Sequence, residues 1–197
     1  MPPRTSFRRS TCGFASDATD SLDPGSHLPL RIGMPLIELK TAIQAPVDRV
    51  FDLARSIDAH ITSTEGIGER AVGGRTSGLI ELDETVTWEA RHFGIRQRLT
   101  SKITEFDRPR MFEDVMIAGA FASMRHVHRF EPTDGGTLMT DEFRFSAPLG
   151  LLGRIAECLF LTRYMRRLLA DRNQVLKDLA ESADWERYLP DSPEQAG

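Results

Sequence analysis

Cysteine is scarce in this sequence of 197 residues, which contains only Cys12 and Cys158. Two cysteines so far apart exclude a disulfide framework, and they lack the close spacing of zinc-binding cysteines. So little cysteine is typical of a reducing compartment, and we predict a cytoplasmic location. Cys158 lies between apolar neighbours in a helical pattern, which favours a packed thiol over a reactive one.

Long hydrophobic runs and an excess of positive charge are also missing. The most apolar stretch, LGLLGRIAECLFL, is interrupted by Arg154 and Glu157, so it falls short of the roughly 18 apolar residues of a membrane span. The formal net charge is -4, which argues against nucleic-acid binding. The sequence has no Gly-x-Ser-x-Gly elbow and no phosphate-loop or dinucleotide motif, so nothing in it indicates a serine hydrolase or a nucleotide-binding protein.

Regular hydrophobic patterns are confined to the middle of the chain. Residues 1–33 have no hydrophobic period and are rich in Ser, Gly, Pro and Arg. We therefore predict a disordered N-terminal tail, or a start codon assigned too early, because Met34 opens the first patterned segment. We expect one domain over residues 34–182 and a C-terminal tail over residues 183–197.

The first part of the patterned region predicts one strand and two short helices. LIELKTAIQ, residues 36–44, alternates as a strand, and the proline at position 46 suits the first turn of the helix PVDRVFDLARSI. The apolar residues of that helix recur at spacings of three and four and form one face: Val47, Val50, Phe51 and Ala54. DAHITST predicts a second short helix, and GIGERAVGGRTSG suggests a short edge strand.

A first hairpin is predicted over DETVTWEARHFGIRQRLTSKITEF. Placing the dipeptide Phe-Gly of residues 93–94 at its tip defines the register. Trp88 then lies opposite Leu99 on one face, and Glu89 lies opposite Arg98 on the other. Opposite charges across two strands suit a water-facing surface. We therefore predict that Trp88 faces the interior.

A second hairpin is predicted over RHVHRFEPTDGGTLMTDEFRF, with Asp134-Gly135 at the tip. His126 and His128 then share one face, since side chains two apart on a strand point the same way. In this register His128 lies opposite Asp141. The remaining residues of that face are apolar: Met124, Phe130, Met139, Phe143 and Phe145. The opposite face is predicted to meet water and carries Arg125, Arg129, Thr140, Glu142 and Arg144.

Between the hairpins, RMFEDVMIAG predicts a strand whose facing the pattern leaves open, because its two faces are almost equally apolar. One face carries Phe112 and Asp114. After it, a helical pattern runs from residue 150 to residue 181, with a break expected near Leu161–Arg163. Its apolar stripe comprises Leu152, Ile155, Leu159, Leu168, Leu169, Leu176 and Leu179.

This order of elements resembles the START-like superfamily, also called SRPBCC or Bet v 1-like. It is similar in particular to the bacterial polyketide cyclase/dehydrase and CoxG-like ligand-binding proteins. The resemblance covers about residues 36–181 and rests on TAIQAPVDRVFDLARSID, ITEFDRPRMFEDVMIAGAF, RHVHRFEPTDGGTLMTDEFRF and the closing helix. It implies an α+β helix-grip fold, in which a curved antiparallel sheet wraps around a long C-terminal helix.

The same resemblance implies that a hydrophobic small molecule, such as a lipid, an isoprenoid or a polyketide-like compound, binds between the sheet and that helix. It does not imply one reaction, because a fold of this kind hosts both enzymes and binders. Related members often carry proline at the position of Ala120 and tryptophan at that of Met124. These departures imply an altered pocket wall.

The two histidines admit three interpretations. A metal would need a third ligand, which Asp141 could supply, but no zinc-type cluster surrounds them, so we predict no metal and no cofactor. Alternatively, Asp141 could orient His128 as the general base of a cyclase or dehydratase. In the interpretation that we favour, the polar groups satisfy one another and hydrogen-bond a ligand oxygen, joined by Asp114 if its strand faces inward.

The resulting set of ligand-binding residues joins this polar group to the apolar side chains that could line a cavity: His126, His128, Asp141, Asp114, Trp88, Phe112, Met124, Phe130, Met139, Phe143 and Phe145. A further alternative is a lipid shuttle or adaptor that meets a membrane through the basic residues Arg163, Arg166 and Arg167, although we favour a solvated helix face as the explanation for them. The pattern leaves the oligomeric state open.

Overall fold

The computed structural model describes residues 35–147 and 160–189. Over these residues, seven strands form one antiparallel sheet in the order β1-β7-β6-β5-β4-β3-β2. The α+β helix-grip fold expected from the resemblance is confirmed. The strands are β1 Leu36–Ile43, β2 Arg70–Gly74, β3 Thr85–His92, β4 Ile95–Asp107, β5 Met111–Ala118, β6 Ser123–Thr133 and β7 Gly136–Ser146.

Both predicted hairpins have the predicted register. The β3–β4 turn falls at Phe93 and Gly94, which both have positive φ angles, as the primed two-residue turns require. The β6–β7 turn falls at residues 134–135 and leaves His128 opposite Asp141. Short turns of this kind are decided locally, and this explains why the sequence pattern predicted them.

Glu89 differs from the expectation in one respect. It points away from Trp88, as predicted, but it is only 5% exposed. The guanidinium groups of Arg70 and Arg98 each lie 2.9 Å from its carboxylate and cover it. The outer face of this hairpin is therefore a charge cluster rather than an open polar surface.

The structure determines the facing of β5, which the sequence pattern left open. Phe112 lies opposite His128, and Asp114 lies opposite His126. Because directly paired residues of an antiparallel sheet share a face, both side chains point to the same side as the imidazoles. Three neighbouring strands, β5, β6 and β7, thus bring their polar residues to one place.

Two short helices cover one end of this face. Helix α1 is Val47–Ala54, and α2 is Ile57–Ser63, with Ser56 accepting a capping hydrogen bond from the Ala59 amide. Phe51 of α1 makes edge-to-face contacts at 5.3–5.6 Å with three further phenylalanines, Phe106, Phe112 and Phe130. These rings form the centre of the larger of two hydrophobic clusters.

The long helix α3, Thr162–Glu181, packs across the same face. Its predicted stripe is confirmed for the described part, with Leu169 and Leu176 buried and Leu168 and Leu179 partly buried. The upstream part of the predicted stripe and Cys158 lie outside the described residues, so the break expected near Leu161–Arg163 stays a prediction. No helix of the described ranges is long and apolar enough to cross a bilayer.

The ordered structure continues beyond the expected boundary at residue 182. A 3₁₀-helix, Ala183–Arg187, follows α3, and both Trp185 and Leu189 belong to the larger hydrophobic cluster. Part of the segment that we expected to be a tail therefore contributes to the core. The expected N-terminal tail, residues 1–33, lies outside the described residues, as do residues 190–197.

Candidate functional site

A cavity of about 270 Å³ lies between the sheet and α3. Strands β3–β7 and helix α2 form part of its wall. Helix α3 and the residue before it form another part through side chains at helical spacing: Leu161, Tyr164, Met165, Leu168, Leu169 and Arg172. The volume is near the lower end of the range for small-molecule sites. The hollow implied by the family resemblance is therefore present.

Most of the predicted ligand-binding residues line this cavity: Trp88, Phe112, Asp114, Met124, His126, His128 and Phe143. The other four lie behind the wall. Asp141 is covered by the imidazoles, and Phe130, Met139 and Phe145 pack in the hydrophobic core. Ala120 and Met124, the two positions at which the resemblance implied an altered pocket wall, both belong to the lining. Strand alternation predicted which face these residues share, but not which of them border empty space.

Asp141 contacts three other side chains of the polar cluster. Its Oδ1 accepts a hydrogen bond from His126 Nε2 at 3.0 Å, and its Oδ2 accepts one from Asn173 Nδ2 at 2.6 Å. His128 Nδ1 lies 2.7 Å from the same Oδ1. This contact is an ion pair without an aligned hydrogen bond, and Nδ1 has no other hydrogen-bond partner among the described residues. The side chain predicted to orient His128 thus contacts both histidines.

Asp114 lies on the other side of the two imidazoles. Its Oδ2 is 3.5 Å from His128 Nε2 and 3.9 Å from His126 Nδ1. The two imidazole centroids are 3.8 Å apart, and the ring of Phe112 stacks on His128 at 4.3 Å. The imidazoles of β6 therefore lie between a carboxylate from β5 and a carboxylate from β7.

The two histidines differ in their pKa values. Burial and the positive charge of His128 lower the pKa of His126 to about 4. Burial acts in the same direction on His128, but the neighbouring carboxylates of Asp114 and Asp141 outweigh it, so the pKa of His128 is raised. Burial also opposes ionisation of Asp141, yet the two imidazoles hold the pKa of this carboxyl well below its usual range. Of the two imidazoles, His128 therefore keeps its proton to the higher pH.

A metal would find three donors here. Asp114, His126 and His128 each present an atom within 4.8 Å of the others. The third donor is Asp114 rather than Asp141, the residue that the sequence suggested, because Asp141 contacts the opposite nitrogens of the rings. Arg172 places a positive charge near Asp114 and His128, and this charge opposes a divalent cation. The expectation of no bound metal stays a prediction.

Sequence reasoning missed Arg172 and Asn173, which project from α3 towards the sheet and are buried. The signal was present, because Arg172 lies four residues after Leu168 and four before Leu176, on the apolar stripe itself. A charged residue at the centre of such a stripe indicates a specific polar environment, since unpaired burial is costly.

A second polar group lines the cavity near α2 and was also missed. His60 stacks on Trp88 with ring centroids 4.1 Å apart, and its Nε2 lies 2.8 Å from Glu69 Oε2. Burial opposes ionisation of Glu69, but the imidazole outweighs it and lowers the pKa of this carboxyl. His60, Trp88 and Glu69 come from different elements, so no local pattern connects them.

The three arginines in the first turns of α3, Arg163, Arg166 and Arg167, are not part of the cavity lining. Arg163 and Arg167 are exposed, and Arg167 lies 3.7 Å from Asp171. Arg166 donates to the Glu38 carbonyl at 3.3 Å. Two of the three arginines thus interact with groups of the same chain, as expected for a solvated helix face.

Comparison with known proteins supports this picture of the fold. The family model described as polyketide cyclase / dehydrase and lipid transport matches residues 34–181. A search of the curated proteins finds no match.

Several solved structures share the fold. A protein of Thermus thermophilus is 17% identical with a TM-score of 0.61, over 73% of this chain and 95% of that one. A START superfamily protein of Mycobacterium smegmatis is 10% identical with a TM-score of 0.57, over 74% and 97%. The ginseng major latex-like protein 151 of Panax ginseng is 15% identical with a TM-score of 0.56, over 75% and 99%. At these identities the likeness establishes the architecture alone.

Proposed function

Because the chain belongs to the polyketide cyclase / dehydrase and lipid transport family, we propose that it binds a hydrophobic small molecule in the cavity between the sheet and α3. The observation that carries this proposal is the cavity itself, with mainly apolar walls and one convergent polar cluster. Protein interiors are otherwise close-packed, so a hollow of this size with mainly apolar walls is typical of a ligand site rather than of an ordinary core. We infer further that the protein works in the cytoplasm without nucleic acid.

The size of the cavity narrows the ligand class. About 270 Å³ is near the minimum for a small-molecule site. A single alkyl chain or a compound of one or two rings suits this volume better than a lipid with two acyl chains. The polar cluster at the β5–β7 side would receive the oxygen atoms of such a ligand.

Tryptophan fluorescence provides a direct test. The sequence has two tryptophans: Trp88 lines the cavity, whereas Trp185 packs beneath the Arg49 guanidinium at 4.2 Å and is not part of the lining. In a Trp185→Phe variant, Trp88 is the only emitter. Titration with the neutral apolar dye N-phenyl-1-naphthylamine should quench Trp88 in a saturable, one-site manner.

A pair of alanine substitutions controls this test. Ala90 lines the cavity, so Ala90→Leu should fill space and weaken dye binding, whereas Ala118 is exposed and Ala118→Leu should leave binding unchanged. Circular dichroism confirms that both variants fold. The proposal fails if the dye does not bind, or if both variants bind it equally well. Native mass spectrometry of the purified protein, with lipid extraction and metal analysis, would identify a co-purified ligand.

The histidine pair supports one second candidate, acid–base catalysis of a cyclisation or dehydration. Two adjacent imidazoles whose pKa values are pushed apart, one lowered to about 4 and one raised, are typical of assigned acid and base roles. In this arrangement His128 would act as the acid, a different role from the general base that its pairing with Asp141 suggested. Asp141 and Asn173 would hold the imidazoles in place.

The bound molecule distinguishes an enzyme from a binder. If the protein turns over its ligand, His128→Gln should trap the substrate, so the molecule bound to the variant should differ from the molecule bound to the wild type. After a dehydration the two masses differ by one water, whereas a cyclisation without loss of water leaves the mass unchanged and shows as a different chromatographic retention of the extracted molecule. A binder should carry the same molecule in both. Identical mass and retention would rule out the enzymatic candidate and leave the binding proposal standing.

A further inference from the structure

Arg172 is the cationic group of the cavity whose hydrogen-bonding capacity is unused. It lines the cavity from the middle of α3 and is only 9% exposed. Among the described residues it forms no hydrogen bond and no ion pair. A guanidinium has five N–H donors, and burying them without acceptors is costly. A buried guanidinium of this kind is expected where a bound ligand supplies the hydrogen-bond acceptors that the protein does not.

The nearby carboxylates do not act as hydrogen-bond acceptors for the Arg172 guanidinium. Asp141 is occupied by His126, His128 and Asn173, and Asp114 lies against the two imidazoles on the far side from Asp141. Arg172 acts on Asp114 and His128 through its charge, but it is not close enough to pair with Asp114. The imidazoles thus engage both acids and leave the guanidinium available to a ligand.

The geometry points to Arg172 as the recognition site for a carboxylate group on the hydrophobic ligand. This inference rests on the proposed binding function and adds the class of ligand, a monocarboxylate with an apolar chain or ring. The planar guanidinium matches a carboxylate through two parallel N–H···O hydrogen bonds, which are stronger than bonds to a neutral oxygen. The apolar part would extend along the walls formed by Trp88, Leu168 and Phe143.

Two probes that differ only at the head group test this inference. Dodecanoate and dodecan-1-ol have the same alkyl chain, and each can be measured by displacement of N-phenyl-1-naphthylamine. The wild-type protein should bind dodecanoate more tightly than dodecan-1-ol by about tenfold or more, the size expected of a charge-assisted pair. The Arg172→Gln variant should lose this preference while binding dodecan-1-ol and the dye as before.

Arg163→Gln is the matched control, because it removes the same charge from the exposed side of the same helix and should leave the preference for dodecanoate intact.

Arg172→Met is a second variant, with a side chain of similar volume and no charge. Because Arg172 has no hydrogen-bond partner among the described residues, this variant should have the same urea midpoint as the wild type. If Arg172 only supported the fold, both Arg172 variants would unfold at lower urea concentration and would bind both probes more weakly by the same factor. That result, or equal binding of the two probes by the wild type, would overturn the inference.

The outcomes separate this inference from the proposed function. Failure of the dye and of both probes to bind would contradict hydrophobic ligand binding as a whole. Binding of the dye and of both probes with equal affinity would contradict only the carboxylate site. Preference for dodecanoate that survives Arg172→Gln would place the anion elsewhere and would also overturn the assignment to Arg172.

Discussion

At the scale of single residues, the polar cluster depends on Asp141. This carboxylate is 1% exposed and contacts His126, His128 and Asn173. Asn173 comes from α3 and the histidines come from β6, so one side chain connects the helix to the sheet. A buried charge of this kind is tolerated only because several partners surround it.

We predict that Asp141→Asn lowers the free energy of unfolding by about 3–5 kcal/mol, the usual cost of breaking a buried pair by removing one partner. Glu142 is the matched control. It lies next to Asp141 on the outer face of β7 and makes an exposed pair with Arg129 at 3.2 Å, so Glu142→Gln should cost about 1 kcal/mol or less. Urea unfolding measures both values. Equal losses would show that Asp141 has no special role.

We also predict that His128 keeps its proton to a higher pH than His126. Groups from several elements face His128: Asp141 of β7, Asp114 of β5, His126 of β6 and Arg172 of α3. Because the pKa of His128 is raised in the fold, its ion pairs contribute stability that is complete below about pH 6.5. That stability is lost as the pH rises through the raised pKa.

Nitrogen NMR shifts of the labelled imidazoles measure this difference, because they report the protonation of each ring. Asp114→Asn should lower the pKa of His128, since it removes one of the two acids that stabilise the cation. The prediction is wrong if His126 keeps its proton to a higher pH than His128, or if both rings titrate near the ordinary value of about 6.5.

At the scale of elements, α3 performs two tasks with one face. Towards its C-terminal end, Leu176 is buried in the core cluster that contains Phe51 and Trp185. Nearer its N-terminal end, Leu168 borders the cavity. The same apolar stripe therefore holds the helix on the sheet at one end and leaves space at the other.

A pair of leucine substitutions tests this division. Leu176→Ala should lower the free energy of unfolding by about 2–5 kcal/mol, because it opens a cavity in a packed core. Leu168→Ala should cost markedly less, because Leu168 already lacks packing partners on the cavity side. Urea unfolding measures the two losses, and dye titration should show altered binding only for Leu168→Ala. A larger loss for Leu168→Ala would contradict the assignment of the cavity.

The hairpins were predictable from the sequence because their registers depend on neighbouring residues. The β6–β7 hairpin follows from a two-residue tip and strict alternation, and both are properties of neighbouring residues. The facing of β5 was not predictable, since Phe112, Met116 and Val115 make its two sides almost equally apolar. Pairing of Asp114 with His126 across the sheet decided it.

At the scale of the whole molecule, the described core is assembled from residues between Ile37 and Leu189, and the family match begins at residue 34. We therefore predict that a protein starting at Met34 folds and binds like the full chain. Its free energy of unfolding should agree within about 0.5 kcal/mol, as for changes outside the core. Urea unfolding and dye titration measure this, and a lower midpoint or weaker dye binding would show that residues 1–33 contribute to the domain.

The sequence by itself determined the order of elements, both hairpin registers and the shared face of His126, His128 and Asp141, because these features depend on residues close together in the chain. Only the tertiary structure decided which side chains border the cavity and which nitrogen of each histidine meets which carboxylate. It also brought Asn173 to Asp141 across 32 positions of sequence. Contacts of that range arise when the stripe of α3 packs on the sheet. The helical period places Arg172 on that stripe, but it does not tell which groups of the sheet Arg172 then faces.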